Sequence, residues 1–159
     1  MVTLSPSNAS TRPPVMSFSG AGSIVNIASV SGVMGNEGRV AYGASKGGVI
    51  TITKVMADEL APLGIPVNAV APRPIETPLV KEVHTQEARA AWMSTVPLHR
   101  YGTPEEIAGA AVFLLDDSKS SYITGQTICV DGGFTSAGII TGTSAAPAMS
   151  QAAGEAAVA

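Results

Sequence analysis

Three short runs rich in β-branched residues are set far apart along the chain: "SIVNIAS" (23–29), "IPVNAVA" (65–71) and "QTICV" (126–130). Each is bounded by glycine, proline or a turn sequence, the pattern of a buried strand. Helical sequence fills the gaps. From Ala41 to about Leu63 the apolar residues Val49, Ile52, Met56 and Leu60 recur at helical spacing, and Gly64 supplies a stop. Residues 78–95 are polar and helical in tendency, with Trp92 and Met93 as their main apolar weight. In "TPEEIAGAAVFLL", Thr103 is placed to cap, Pro104 sits at the first helical position and Glu106 completes a capping box. The order strand, helix, strand, helix, helix, strand predicts an α/β fold of parallel strands joined by right-handed crossovers.

The 159 residues amount to one domain's worth of sequence, and a composition 45% hydrophobic and 13% charged requires that much of it be buried, or disordered and weakly charged. A net charge of −3 with scattered basic residues argues against a nucleic-acid surface. The single Cys129 excludes an internal disulfide and suits a reducing compartment. No apolar run approaches the ~20 residues needed to span a bilayer, and "MVTLSPSNASTRPP" lacks the apolar stretch of a signal peptide. A cytoplasmic protein without membrane partners is expected. Residues 1–14, rich in Ser, Thr, Pro and Asn, read as a disordered arm, 15–134 as the folded domain, and 135–159 as a low-complexity tail.

The chemistry sits in "AYGASKGG" (41–48), where Tyr42 and Lys46 are four positions apart and lie on one face of a helix. A free phenol is a poor base at neutral pH, but a neighbouring cation favours the phenolate. Such a pair can give or take a proton in a neutral-pH reaction. Alone, Tyr-x-x-x-Lys is common, and a helix-end tyrosine beside a solvated lysine is the plain alternative.

The longer string "GSIVNIASVSGVMGNEGRVAYGASKGGVITITKVMADELAPLGIPVNAVAP" resembles the short-chain dehydrogenase/reductase family, with a strand ending in serine and thirteen residues from Ser29 to Tyr42. The resemblance continues in order through "IETP", "RYGTPEEIAGAAVFLL" and "SSYITGQTICVDGG", about 120 of the 159 residues. It looks closest to members related to 3-oxoacyl-carrier-protein reductases. The resemblance implies a Rossmann-like, doubly wound parallel sheet and hydride transfer between NAD or NADP and a ketone or secondary alcohol. Tyr42 would be the general acid/base. Ser29 would hydrogen-bond the substrate oxygen, and Lys46 would assist Tyr42 and bind the nicotinamide ribose. Thr77, with the Ile75 backbone and the Pro72 region, would hold the nicotinamide. Residues 78–95 would cover the substrate. The resemblance also implies homo-oligomers built through 41–63 and 104–130, with Ala44, Gly47, Gly48 and Thr51 small enough for close helix contact.

Several family features have no counterpart. The glycine-rich phosphate-binding turn that opens the family's fold is absent. Gly20-Ala21-Gly22 precedes a strand instead of following one and lacks the third glycine. The sheet is therefore expected to be partial, without its N-terminal glycine-rich half. Asn8 does not match the family's catalytic asparagine. Where the family has Pro-Gly, this chain has Pro72-Arg73-Pro74. Arg73 could obstruct the nicotinamide or attract a phosphate or carboxylate. His84 and His99 stand apart from Cys129 and suggest no metal site, and Cys129 reads as a buried small hydrophobe. As an isolated chain the protein is expected to be weak or inactive, or to act through subunit association alone.

Overall fold

The structure is a computed structural model that describes residues 22–137. The expectations for 1–14, for the tail 135–159 beyond residue 137, and for Asn8, Gly20 and Ala21 lie outside these residues, while 135–137 belong to the turn after β3, with Ser136 N and Ala137 N donating to Gly133 O. Three parallel strands, β1 (Ile24–Ile27), β2 (Val67–Pro72) and β3 (Thr127–Val130), form a sheet in sequence order. Ile24 pairs with Val67, and Pro72 with Val130. The parallel α/β sheet expected from the sequence is the one observed. Its strands are slightly offset from the apolar runs for local reasons. Pro66 has no N–H for the ladder, so β2 opens at Val67, yet its carbonyl still accepts from Ile24 N at 2.9 Å. At the other end Ser29 leaves β1 to cap a 3₁₀ turn over Val30–Gly32.

The long helix α1 (Val40–Leu60) tightens into a 3₁₀ turn at Ala61–Leu63 around Pro62 and ends on Gly64 at φ 70°. Residues 78–95 form two helices, α2 (Pro78–Val83) and α3 (Gln86–Ser94). The break is set by Thr85, whose hydroxyl accepts from Ala88 N at 3.2 Å, just as Thr77 caps α2 through Val80 N at 3.2 Å. Helix α4 (Pro104–Leu115) starts with the expected capping box, Thr103 N donating to Glu106 Oε2 at 2.8 Å and Glu106 N to Thr103 Oγ1 at 3.3 Å. A short α5 (Asp117–Ser120), capped by Asp116, leads towards β3.

Strand alternation divides the sheet. Ala69 and Ala71, with Ala28, face α1 and pack with Val49, Ile50 and the half-buried Cys129. On the same face Asn26 Nδ2 donates to Thr53 Oγ1 of α1 at 2.9 Å. Helix α4 runs against all three strands. Because β2 is buried along both faces, it is the centre of a layered core. Beyond β3, Asp131 organises the exit turn, accepting from Gly133 N at 3.0 Å and from Thr135 N and Oγ1 at 2.8 and 2.7 Å.

Candidate active site

All six residues singled out by sequence lie at or beyond the carboxyl-terminal ends of β1 and β2, or on the first turns of α1. That end is where open α/β sheets bind ligands. Ala28 N donates to Val70 O at 2.8 Å, which holds the exit of β1 beside the end of β2. Ser29 follows, nearly buried, its hydroxyl oxygen accepting from Ser31 N at 3.1 Å. The turn that carries it backs directly onto α1. A Cβ on Gly32 would come within 2.5 Å of the Lys46 carbonyl carbon, and one on Gly43 within 3.0 Å of Ser31 O. Only glycine at position 32 permits this approach.

From α1, Lys46 Nζ reaches back to donate to Ile27 O at 2.9 Å and lies 5.9 Å from the centroid of the Tyr42 ring. Arg39 approaches the same ring at 5.7 Å. Tyr42 is 43% exposed, so its phenol is open to a ligand. Tyr42 and Lys46 are thus together, and the Ser29 turn is packed on the helix that carries them.

The segment leaving β2 carries the rest. Pro72 is the last ladder residue of that strand, paired with Val130. Ile75 forms a parallel bridge with Gly102. That bridge uses Pro74 O (2.9 Å) and Glu76 N (2.8 Å), so Ile75 directs its own N–H and C=O away from Gly102. Thr77 caps α2 by accepting, which leaves its hydroxyl proton to donate. Ser29 is in the same state, and the Lys46 ammonium has spent one donor of three. Each polar side chain of the set therefore keeps a donor for a ligand.

Sequence reasoning singled out Arg73 but missed the group gathered around it. Arg73 Nη1 donates to Asn36 Oδ1 at 2.5 Å, and Asn36 Nδ2 donates to Ser31 Oγ at 2.9 Å. The Arg73 guanidinium lies over Trp92 at 4.3 Å and Phe134 at 3.8 Å. Burial, followed by the nearby Arg39 charge, lowers its pKa from the usual arginine value, against a small opposing effect of Asp131. Beside it, Arg89 pairs with Glu76 and lies 4.6 Å over the Tyr101 ring. Tyr101 Oη in turn meets His84 Nδ1 at 2.9 Å, and the His84 ring stacks on Trp92. These residues are spread from 36 to 134, and no local spacing announces them.

The fold is a parallel Rossmann-like sheet whose first helix carries a tyrosine–lysine pair beside a strand-end serine. The comparisons give the family. The family model described as enoyl-(acyl carrier protein) reductase matches residues 8–135. The chain is 53% identical over 112 residues to a 3-oxoacyl-[acyl-carrier-protein] reductase of Thermotoga maritima, covering 70% of this chain and 45% of that protein. A Synechocystis reductase of the same description is 49% identical, over 70% of this chain and 44% of its own. Among solved structures, one from Agrobacterium tumefaciens with bound NADP, provisionally assigned as a 2-deoxy-D-gluconate 3-dehydrogenase, superposes with a TM-score of 0.70 at 40% identity. It matches 74% of this chain and 48% of its own. A Brucella melitensis 3-oxoacyl-[acyl-carrier protein] reductase gives 0.66 at 41% identity, over 70% of this chain and 41% of its own. The chain belongs to the short-chain dehydrogenase/reductase family. It spans about half the length of the curated relatives it matches.

Proposed function

We propose that this chain carries the catalytic half of an NAD(P)-dependent oxidoreductase that interconverts a ketone and a secondary alcohol. The observation that carries the reading is the Tyr42–Lys46 pair, with Lys46 fixed on Ile27 O two residues before Ser29. The nicotinamide cofactor, when bound, supplies the hydride in reduction and takes it up in oxidation. Tyr42 Oη holds the proton that passes to the substrate oxygen in reduction and receives it back in oxidation. The Ser29 hydroxyl donates to that same oxygen and stabilises the charge that develops on it. Lys46 keeps a positive charge beside the phenol and offers its remaining donors to the ribose.

The residues present fit the nicotinamide end of the cofactor. Ile75 offers backbone groups turned away from its bridge, and Thr77 has a free hydroxyl proton. The phosphates have no comparable cradle, since among the described residues no G-x-G-x-x-G turn follows a strand. These 159 residues as an isolated polypeptide are therefore expected to bind nucleotide weakly and to be weak or inactive. Titrating NADH and NADPH into the purified chain, following nucleotide fluorescence, tests this; micromolar binding would contradict the expected weakness. The relatives' names point to acyl-carrier-protein-bound 3-oxoacyl groups as one substrate class.

A second reading, association between copies, is favoured by the surface of α1. Ile52 and Val55 are at least half exposed, and a Cβ on Gly48 would meet nothing within 4 Å. At i, i+4 and i+7 they make one apolar stripe. Among the described residues no helix is long and apolar enough to cross a membrane, and we place the protein in the cytoplasm as a homo-oligomer. Sedimentation of the wild-type chain against Ile52→Lys distinguishes association through this stripe from a monomer.

A further inference from the structure

Arg73 stands where the resemblance expects glycine, and its surroundings decide between the roles open to such a residue. Its Nε is buried and has no hydrogen-bond partner among the described residues, so that edge of the guanidinium is closed to an incoming anion. The guanidinium carbon lies over two aromatic rings, Trp92 of α3 at 4.3 Å and Phe134 of the turn after β3 at 3.8 Å. One Nη grips Asn36, which holds Ser31, whose N–H donates to Ser29 Oγ. The backbone is fixed as well, Arg73 N donating to Val130 O at 3.3 Å.

We infer that Arg73 is a positioning residue that locks the Ser29 turn to the α3 segment and the Phe134 turn across the carboxyl end of the sheet. A planar guanidinium can present two faces to aromatic rings and an edge to an amide at once. Three segments distant in sequence, around residues 31–36, 92 and 134, are thereby held by one group. The meaning for catalysis rests on the reading of Ser29 as a ligand of the substrate oxygen; the lock itself does not.

Trp92 is the sole tryptophan of the chain, so its fluorescence reports the contact directly. Arg73→Gly is expected to move the emission to longer wavelength and to raise acrylamide quenching. Amide exchange in 30–36 and 86–94 should accelerate by about tenfold or more, the loss of two cation–aromatic contacts and a charged hydrogen bond. Exchange in β2 should stay as in wild type. Arg73→Lys, which keeps the charge but not the planar fork, should fall between. Asn36→Ala should speed exchange at 30–36 alone and leave Trp92 emission near wild type; this variant decides the matter if the glycine variant does not fold. Unchanged emission and exchange in Arg73→Gly, or acceleration equally strong in β2, would overturn the lock. So would an Asn36→Ala variant with wild-type exchange at 30–36. None of these readings depends on turnover, so the lock and the oxidoreductase reading fail separately.

Discussion

Lys46 Nζ of α1 lies 2.9 Å from the carbonyl oxygen of Ile27, the last residue of β1. This bond fixes the ammonium at the strand end and so sets where the charge sits relative to Tyr42 and the Ser29 turn. Lys46→Met removes the charge and the bond together. Whatever turnover of an activated ketone with NADPH the wild-type chain supports should fall by about 10²-fold or more. Because the bond is exposed, urea denaturation should register a loss of only about 1 kcal/mol. A wild-type chain with measurable turnover that the methionine variant matches would sink the assigned role.

Tyr42→Phe separates the hydroxyl from the ring. The phenyl keeps its place beside Lys46 and Arg39, and the ring is partly exposed, so the unfolding midpoint should be nearly unchanged. Whatever activity the wild-type chain shows should drop by about 10²–10⁴-fold, the range for losing a positioned acid/base. Parallel assays on Lys46→Met and the double variant show whether the two act as a unit: if so, the losses are not additive.

Gly32 is the contact through which the Ser29 turn rests on α1. An added Cβ would meet the Lys46 carbonyl carbon at 2.5 Å and Gly47 N at 2.6 Å, both backbone and unable to swing aside. Gly32→Ala should cost about 1–3 kcal/mol by chemical denaturation, as overpacking does. It should also reduce activity by pushing Ser29 away from Tyr42. Gly35→Ala, in the loop that follows this turn, faces open space and serves as the control, with wild-type behaviour expected.

Much of this arrangement is legible in the sequence because it is local. The three strands announce themselves as short apolar runs between breakers, and the capping box of α4 lies within four consecutive residues. Tyr42 and Lys46 share a face by helix periodicity alone. Long-range side-chain geometry is not legible in this way. Asn36 sits in a glycine-rich loop and His84 at a helix end; neither signals that it meets Arg73 or Tyr101, because those meetings depend on how loops from distant parts of the chain fold over the sheet. Arg73 stands out as a departure from the expected glycine, but only the structure shows its guanidinium over Trp92 and Phe134. The division of 78–95 into α2 and α3 turns on a single capping hydroxyl at Thr85, which a reading of polar helical tendency passes over.

The start of α4 gives a pH-dependent test. Hydrogen bonds from Arg100, and then from the Thr103 backbone, hold the Glu106 carboxyl at about 2, below the ordinary 4.5. A group whose pKa is depressed on folding contributes stability that is fully present above its unfolded pKa and is lost as pH falls through the folded one. The contribution of Glu106 should therefore be complete above about pH 4.5 and fade towards pH 2. NMR titration of the Glu106 carboxyl should give a midpoint far below that of an exposed glutamate. Glu106→Gln should flatten that part of the acid limb in a stability-versus-pH series. A normal midpoint would mean that the Arg100 fork does not persist in solution.

Asn68, wholly buried in β2, provides the sharpest test of how the sheet is tied to the loop before β3. Its Nδ2 donates to Ile123 O at 2.7 Å and its Oδ1 accepts from Gln126 N at 3.0 Å. Asn68→Leu leaves a carbonyl and an N–H without partners and should cost about 2–4 kcal/mol at any pH. Asn68→Asp behaves differently. An ionised carboxylate can still accept from Gln126 N but cannot donate to Ile123 O, and it faces that carbonyl in a dry environment. Its pKa in the folded chain must therefore rise above the unfolded value, because the protonated acid can make both hydrogen bonds. The penalty should be largest at neutral pH and should shrink as pH falls through the folded pKa, once the proton is bound in the native state. Denaturation of both variants between neutral and mildly acidic pH measures this, with the leucine variant correcting for the general effect of acid on the fold. If the aspartate variant gains no stability relative to the leucine variant on acidification, the Asn68–Ile123 bond is not the tie described.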